Sequence, residues 1–342
     1  MSLRNLNVVT KIPNNLRIKL KNKRINYLYK KFEKTFKINQ NFIVAVSGGP
    51  DSLALSFLTK IYSLKNNLKS RYFIIDHKLR SDSTKEAKSV MKILKKFSIS
   101  SEILTWRGKK PLKNIQSVAR KKRYDLLFGK CKKQRINNLV LGHHIDDLYE
   151  NFFIRLLRGS GLKGLVSFDT NTKIKEINLI RPLLGFKKDD LIFISKYVFN
   201  FFVKDPSNYD TKFKRIEVRN LIKKFEEFGL DKKKFLLTIN NLKKSNQSII
   251  FYVDQNFKKN TFFNRKKNQL ILKESFFKQS YEVIFRSFSE SIKLIGMKYH
   301  TPRGKKIDYI LQKIRDNSLI KETLGGCVIK RANRTIIITK EE

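Results

Sequence analysis

The sequence predicts an α/β fold, a parallel sheet with helices on both faces, followed by a helical region and a small α+β C-terminal part. Three observations predict it. Short apolar runs alternate with helix-length segments from residue 42 to residue 158, the pattern of right-handed βαβ units whose sheet is covered on both faces. The first run, Phe42-Ile43-Val44-Ala45-Val46, passes through Ser47-Gly48-Gly49-Pro50-Asp51-Ser52 into the helical run Leu53 to Leu64. Beyond Asp205-Pro206 the alternation stops, and segments rich in Phe, Leu and Lys at helical spacing take over.

Taken in order, Ile25, Leu28, Tyr29, Phe32 and Phe36 recur at helical spacing with lysines between them, so residues 24–37 form an amphipathic helix packed on the domain that follows. Strands are expected at 42–46, 72–76, 101–105 and 138–141, and helices at 52–64, 83–97, 114–131 and 147–158. In such a sheet the functional groups gather beyond the carboxyl ends of the strands. Ser47, Asp76-His77 and Gly142-His143-His144 all fall there. Residues 213–228, 232–245 and 274–289 read as helices, and 305–315 as another. Residues 323–329 and 335–339 read as the two arms of a hairpin around Arg331-Ala332-Asn333-Arg334. The expected divisions are 1–205, 206–290 and 291–342.

With 342 residues and 41% apolar content the chain can bury a sizeable core. Its 75 Lys and Arg against 29 Asp and Glu give a formal charge of +46, which favours a polyanionic partner, RNA or DNA first. Cys131 and Cys327 are the only cysteines and sit in no paired spacing, which argues against a disulfide scaffold, a Cys-rich zinc site or an iron–sulfur cluster. A reducing, cytoplasmic setting is expected. No membrane anchor is expected either, because the most apolar later stretch, Leu191 to Phe202, is interrupted by Ser195, Lys196 and Asn200.

The hexapeptide reads as a phosphate cradle. Gly48 and Gly49 let backbone N–H groups approach an anion without Cβ obstruction, and these groups open a helix whose positive dipole end favours phosphate. It is not the common P-loop, since no lysine occurs between Ser47 and Thr59. Ser47 and Ser52 can donate hydroxyl hydrogen bonds to a pyrophosphate, and Asp51 is an oxygen ligand suited to Mg²⁺. Asp146, Asp147 and Glu150 form an acidic cluster at a helix start. They read either as a cap closed by Glu150, or as carboxylates that hold a cationic amine or a second metal. His143, His144 and His77 stand at strand ends and could contact a nucleotide or serve structural hydrogen bonds. Arg120 with Arg123, and Arg215 with Arg219, share helical faces and could neutralise phosphates or simply face solvent.

Ser-Gly-Gly-x-Asp-Ser after a strand resembles the fingerprint of the PP-loop ATP pyrophosphatases, with their adenine nucleotide alpha hydrolase-like sheet. Further stretches narrow the resemblance: Asp76-His77-Lys78-Leu79-Arg80; Asn114-Ile115-Gln116 with Ala119-Arg120 and Arg123-Tyr124; Gly142-His143-His144-Ile145-Asp146-Asp147 with Glu150; Arg158-Gly159-Ser160-Gly161; Arg181-Pro182-Leu183-Leu184; and Asp205-Pro206-Ser207-Asn208 leading to Arg215 and Arg219. Together they resemble the tRNA(Ile)-lysidine synthase family from about residue 40 to residue 222. The tail, with Tyr299-His300-Thr301-Pro302-Arg303 and Leu324-Gly325-Gly326-Cys327, resembles its bacterial C-terminal region less distinctively. The family usually carries Gln-Ala-Glu-Thr after the double aspartate, whereas here Leu148-Tyr149-Glu150-Asn151 follows, so only Glu150 is kept.

The resemblance implies ATP as cosubstrate with Mg²⁺, and an isoleucine tRNA and free L-lysine as partners. ATP would adenylate the ring carbonyl of the wobble cytidine, and lysine would then displace AMP. It also implies catalytic roles for Asp51, Asp146, Asp147, Glu150 and Arg120, nucleotide contacts from Ser47 to Ser52, His77 and His143, and tRNA or phosphate contacts from Arg123, Arg215 and Arg219. The region beyond residue 206 would hold the tRNA arm, and a homodimer is one of the assembly states left open. A thiolase of the same superfamily would need paired cysteines or a cluster, and an amidotransferase-linked synthetase a glutaminase region. A non-catalytic RNA-binding protein would not need the intact acidic residues.

Overall fold

The computed structural model describes residues 12–108, 111, 115–203, 214–264, 267–298 and 301–341. The chain divides into two units, Met1–Leu230 and Asp231–Glu342. The boundary expected at 205–206 lies outside the described residues. The helix after it nevertheless groups with the first unit, and everything from residue 231 onward forms one unit instead of two.

The first unit opens with α1 (Asn14–Leu20) and α2 (Lys23–Thr35). The side chain of Asn22 caps α2 by accepting from the Ile25 N–H, and Ile25, Leu28, Tyr29 and Phe32 are buried at the expected spacing. Then follow β1 (Phe42–Val46), α3 (Pro50–Lys65), β2 (Ser70–Asp76), α4 (Ser83–Lys96), β3 (Ser101–Thr105), α5 (Ile115–Gln134), β4 (Asn138–Val140) and α6 (Ile145–Leu156). After a short α7 (Leu162–Leu165) come β5 (Asn171–Ile174), β6 (Ile177–Ile180), α8 (Lys188–Phe199) and α9 (Lys214–Glu227).

The sheet order is β3-β2-β1-β4-β6-β5. All neighbours are parallel except β5 and β6, which form an antiparallel edge hairpin. Alternate residues of β1 serve opposite faces: Val44 and Val46 pack with α2, α3, α4 and α8, while Ile43 packs with Leu127 and Cys131 of α5. Both faces are therefore covered, as the fold class requires. β1 pairs with β2 on one side and β4 on the other, so chain progression reverses between β1 and β4, and the crevice beyond their carboxyl ends is the topological switch point. The β5–β6 hairpin and α8 had no counterpart in the sequence pattern. Most of the apolar run 191–202 lies in α8, which buries Leu191, Ile194, Val198 and Phe199 and is followed by Asn200 in the left-handed conformation, φ 49°.

The second unit begins with α10 (Lys232–Asn260), capped by the Asp231 carboxylate on the N–H groups of Lys233 and Lys234. The helix runs well past residue 245, where the sequence reading stopped. β7 (Thr261–Asn264) and β8 (Gln269–Leu272) follow, then a 3₁₀ turn (Glu274–Phe277), α11 (Tyr281–Ile295), α12 (Gly304–Arg315), β9 (Lys321–Leu324), β10 (Cys327–Ala332) and β11 (Thr335–Lys340). The segment 274–289 is therefore split, with extended backbone at Ser280 starting α11 afresh. The antiparallel sheet runs β7-β8-β11-β10-β9 and shares a core with α11 and α12, Phe276, Phe288, Ile292, Ile310 and Ile338 among its members. The arm expected at 323–329 breaks into two strands, because Gly325 and Gly326 both take positive φ, 66° and 78°, and turn the chain.

Candidate active site

The loop between β1 and α3 is shaped by its own side chains. Ser52 Oγ accepts from the Ser47 N–H at 3.1 Å and from the Ser47 hydroxyl at 3.2 Å, and donates to the Gly49 carbonyl at 3.0 Å. Gly48 has φ +83°, and a Cβ there would lie 2.6 Å from Val90 and 3.0 Å from Val203. Pro50 takes the first helical position, where its missing N–H costs nothing. The unshared first-turn N–H groups of α3 thus face the switch point beside a ring closed by two serines.

Asp51 follows at the second helical position, and its carboxylate accepts from Lys188 Nζ at 2.8 and 2.7 Å. Lys188, in the first turn of α8, was not singled out from the sequence. Gly142 brings the end of β4 onto the same turn: a Cβ there would stand 3.2 to 3.3 Å from the backbone of Asp51 and Ser52. The phosphate-type loop and the start of α6 therefore share one crevice.

At the start of α6 the cap is His144, not an aspartate closed by Glu150. Its N–H donates to Asp147 Oδ2 at 3.0 Å, and its Nδ1 lies 2.6 Å from the same oxygen, with Asp146 3.5 Å from Nε2. Burial alone would raise Asp147 and lower His144. The hydrogen bond and mutual attraction win in both, holding the Asp147 carboxyl well below and the His144 imidazole above the ordinary range. Glu150 lies one turn on, 1% exposed. Its Oε1 accepts from Arg219 Nε at 2.8 Å and lies 2.7 Å from Nη2. Its Oε2 has no hydrogen-bond partner, the Arg215 Nε standing off at 3.9 Å. Burial is the larger influence and raises the Glu150 carboxyl despite the two arginines.

His143, on the other side of this turn, is half-buried against the Phe168 ring, centroids 5.2 Å apart, and its Nδ1 is buried with no partner. Burial, helped by the charges of Arg181, Arg120 and Arg215, pushes its pKa down to about 3, so the imidazole is neutral. Arg181 is buried. It donates to the Asp169 carbonyl at 2.8 Å and Thr172 Oγ1 at 2.9 Å, and covers the Phe168 ring at 4.7 Å. Neither Phe168 nor Arg181 was assigned a site role from the sequence, although Arg181 begins a stretch that carried the resemblance.

The remaining candidates are more loosely placed. Arg120 and Arg123 are exposed on α5, with Arg120 lying over the Tyr124 ring at 5.2 Å. His77 Nδ1 accepts the Leu79 N–H at 3.2 Å, which shapes the loop after β2. Asp76 is buried and accepts from Ser83, Thr84 and the Lys78 N–H. Burial alone would raise its carboxyl, but these bonds hold it low. Residues 204–213, with Asp205 to Asn208, lie outside the described residues, as do Asn114, Tyr299 and His300.

The PP-loop domain family matches residues 19–225. A tRNA(Ile)-lysidine synthase of Orientia tsutsugamushi (strain Boryong) is 35% identical over 321 residues, covering 90% of this chain and 71% of that protein. One of Wolbachia pipientis wMel is 32% identical over 306 residues, covering 89% and 71%. Among solved structures, the U34-tRNA thiolase NcsA from Methanococcus maripaludis superposes with a TM-score of 0.56 at 18% identity, covering 65% of this chain and 78% of its own, a likeness of fold alone. With the nucleotide loop and the acidic turn joined at one switch point, and relatives matched over nine tenths of its length, the chain belongs to the tRNA(Ile)-lysidine synthase family of PP-loop proteins.

Proposed function

We propose that this protein ligates L-lysine to the wobble cytidine of an isoleucine tRNA at the expense of ATP. The ring carbonyl oxygen of the cytidine attacks the α-phosphate, forming an O–P bond as the bond to pyrophosphate breaks. The lysine amino group then attacks the activated ring carbon and AMP departs, leaving lysidine. The first-turn N–H groups of α3 and the Ser47 hydroxyl meet the charge that gathers on the leaving pyrophosphate. The target base must be unstacked to react, which suits an anticodon loop.

The observation that carries the reading of the second step is the orphaned Glu150 Oε2 beside Asp147, a buried acceptor suited to an incoming ammonium group. Arg219 fixes the other carboxylate oxygen, while this one faces Arg215 at 3.9 Å with no hydrogen bond of its own. His143, neutral and with an unshared Nδ1, can accept a hydrogen bond from the incoming amine. Arg120, Arg123 and Arg215 supply positive charge for phosphates of ATP or tRNA.

Asp51 suits Mg²⁺, which takes one or two carboxylates and completes its shell with phosphate and water. Among the described residues no group of three or more His, Cys, Asp or Glu side chains could hold a metal ion. For Asp51 to bind it, Lys188 releases at least one carboxylate oxygen. When bound, the ion neutralises charge on the pyrophosphate. A sulfur-transfer reading is disfavoured, because Cys131 and Cys327 are both buried and burial pushes each thiol up to about 11.

The test is a reaction with labelled lysine, total tRNA and ATP, followed by nucleoside analysis. Label in a modified cytidine of isoleucine tRNA, only with ATP present, is the expected result. Pyrophosphate release without lysine incorporation overturns the reading.

A further inference from the structure

The second unit holds a cavity of about 250 Å³ to which neither the nucleotide loop nor the acidic turn contributes. Its floor is apolar, formed by Ile284, Leu311 and Ile336, and two rings, Phe277 and Tyr281, line its wall. Tyr281 is held in place by donating its hydroxyl to Asp308, yet the residue remains 47% exposed. Cations stand among the lining. Arg315 lies 5.9 Å from the Tyr281 ring centroid, and Arg334 and Lys278 join it. Arg331 is anchored by donating from Nη2 to the Ile314 carbonyl at 2.5 Å, while its Nε is buried with no acceptor. One carboxylate, Glu274, also lines the cavity, but it pairs with Lys278 at 2.7 Å, leaving three guanidiniums in excess.

An apolar patch with two aromatic rings in its lining suits an unsaturated ring system, and the guanidinium group with an unspent buried donor suits an oxyanion next to it. The volume is below the ~300 to 1,000 Å³ of drug-sized sites, so it accepts one ring system and not a stacked pair. We propose that this cavity binds a single unpaired nucleotide, its base against Tyr281 and Phe277 and its phosphate at Arg331 and Arg334. The choice of a nucleotide rests on the tRNA reading above, and on the 25 Lys and Arg against 10 Asp and Glu between residues 231 and 342. A nucleotide of the bound tRNA and a free mononucleotide share this chemistry.

The experiment uses the full chain with ATP saturating the first unit, and compares wild type with Tyr281→Leu, Tyr281→Phe and Arg334→Glu. Dissociation constants are measured for an isoleucine tRNA transcript and for cytidine, uridine and guanosine 5′-monophosphates. If the occupant is a tRNA nucleotide, Tyr281→Leu and Arg334→Glu weaken transcript binding roughly ten-fold, while Tyr281→Phe, which keeps the ring, does not. Loss confined to the mononucleotides assigns the site to a free nucleotide. Sensitivity to Arg334→Glu without sensitivity to Tyr281→Leu means a charged surface only and overturns the proposal, as does equal affinity of all variants. ATP-dependent pyrophosphate release, read in parallel, reports on the first-unit chemistry separately, so a failure of the lysidine reading is not mistaken for a failure of the cavity.

Discussion

His143 shows how much a single half-buried side chain can be asked to do. The folded protein keeps its imidazole neutral down to about pH 3, whereas an unfolded chain protonates it below about 6.5. A base whose folded pKa is depressed contributes its full stability above the unfolded value and loses it as pH falls from there towards the folded one. The slope is about 1.4 kcal/mol per pH unit within that window. His143→Gln removes this term and leaves the His144–Asp147 pair in both proteins. Trp106, the sole tryptophan and buried in the first unit, supplies the fluorescence signal for urea unfolding. From about pH 7.5 to about pH 5.5 the wild type is expected to lose about 1 kcal/mol or more relative to the variant, and parallel pH profiles would contradict the neutral assignment. Glu150 allows a second test. Arg219→Gln leaves a buried carboxylate with its best partner gone, at an expected cost of about 1–3 kcal/mol by the same signal, while Glu150→Gln with Arg219→Gln recovers part of it. Asp51→Asn keeps the shape of the loop and removes the charge. Pyrophosphate release is expected to fall roughly a hundred-fold with tRNA affinity unchanged.

At the scale of elements, the loop works because β4 and α3 are held together at Gly142 and because Gly48 occupies a backbone region and a space that admit no side chain. Gly48→Ala must bring a methyl to 2.6 Å from Val90 in a left-handed conformation. We expect about 1–3 kcal/mol of destabilisation and an ATP dissociation constant raised roughly ten-fold, read by urea unfolding and calorimetry. An unchanged ATP affinity would mean that the loop tolerates the shift. These features were legible because each is local: strand, turn and helix lie within about twenty residues, and residue type, spacing and order carry the signal. Lys188 was not legible, because its contact with Asp51 spans 137 residues and nothing near it in sequence marks it. β5 and β6 were missed because four-residue strands at a sheet edge are too short to show a period of two. α10 was cut short where Lys243 to Ser248 interrupts the apolar spacing, although the helix continues through it to Asn260.

The whole chain carries its charge unevenly in purpose if not in number. The first unit contains the nucleotide loop, the acidic turn and α9, whose Phe225 stacks on Phe153 of α6 at 5.5 Å and so places Arg215 and Arg219 over Glu150. A division near residue 206 would have cut this contact. The composition shift that suggested it is real, but α9 is docked through a few aromatic and charged side chains that a change in average composition does not reveal. The second unit has its own core and needs none of these residues for its sheet. A chain ending at Leu230 therefore keeps the groups proposed to bind ATP and is expected to show the same Trp106 unfolding transition as the full protein. It loses the basic helices and the sheet that we assign to the tRNA arm. Each lysine or arginine that meets a phosphate adds about one unit to the slope of log affinity against log salt. The full chain should thus bind isoleucine tRNA with a steep salt slope and the shortened chain with a shallow one, while ATP affinity is equal in the two. Equal slopes would place the tRNA contacts on the first unit and remove the second from tRNA recognition.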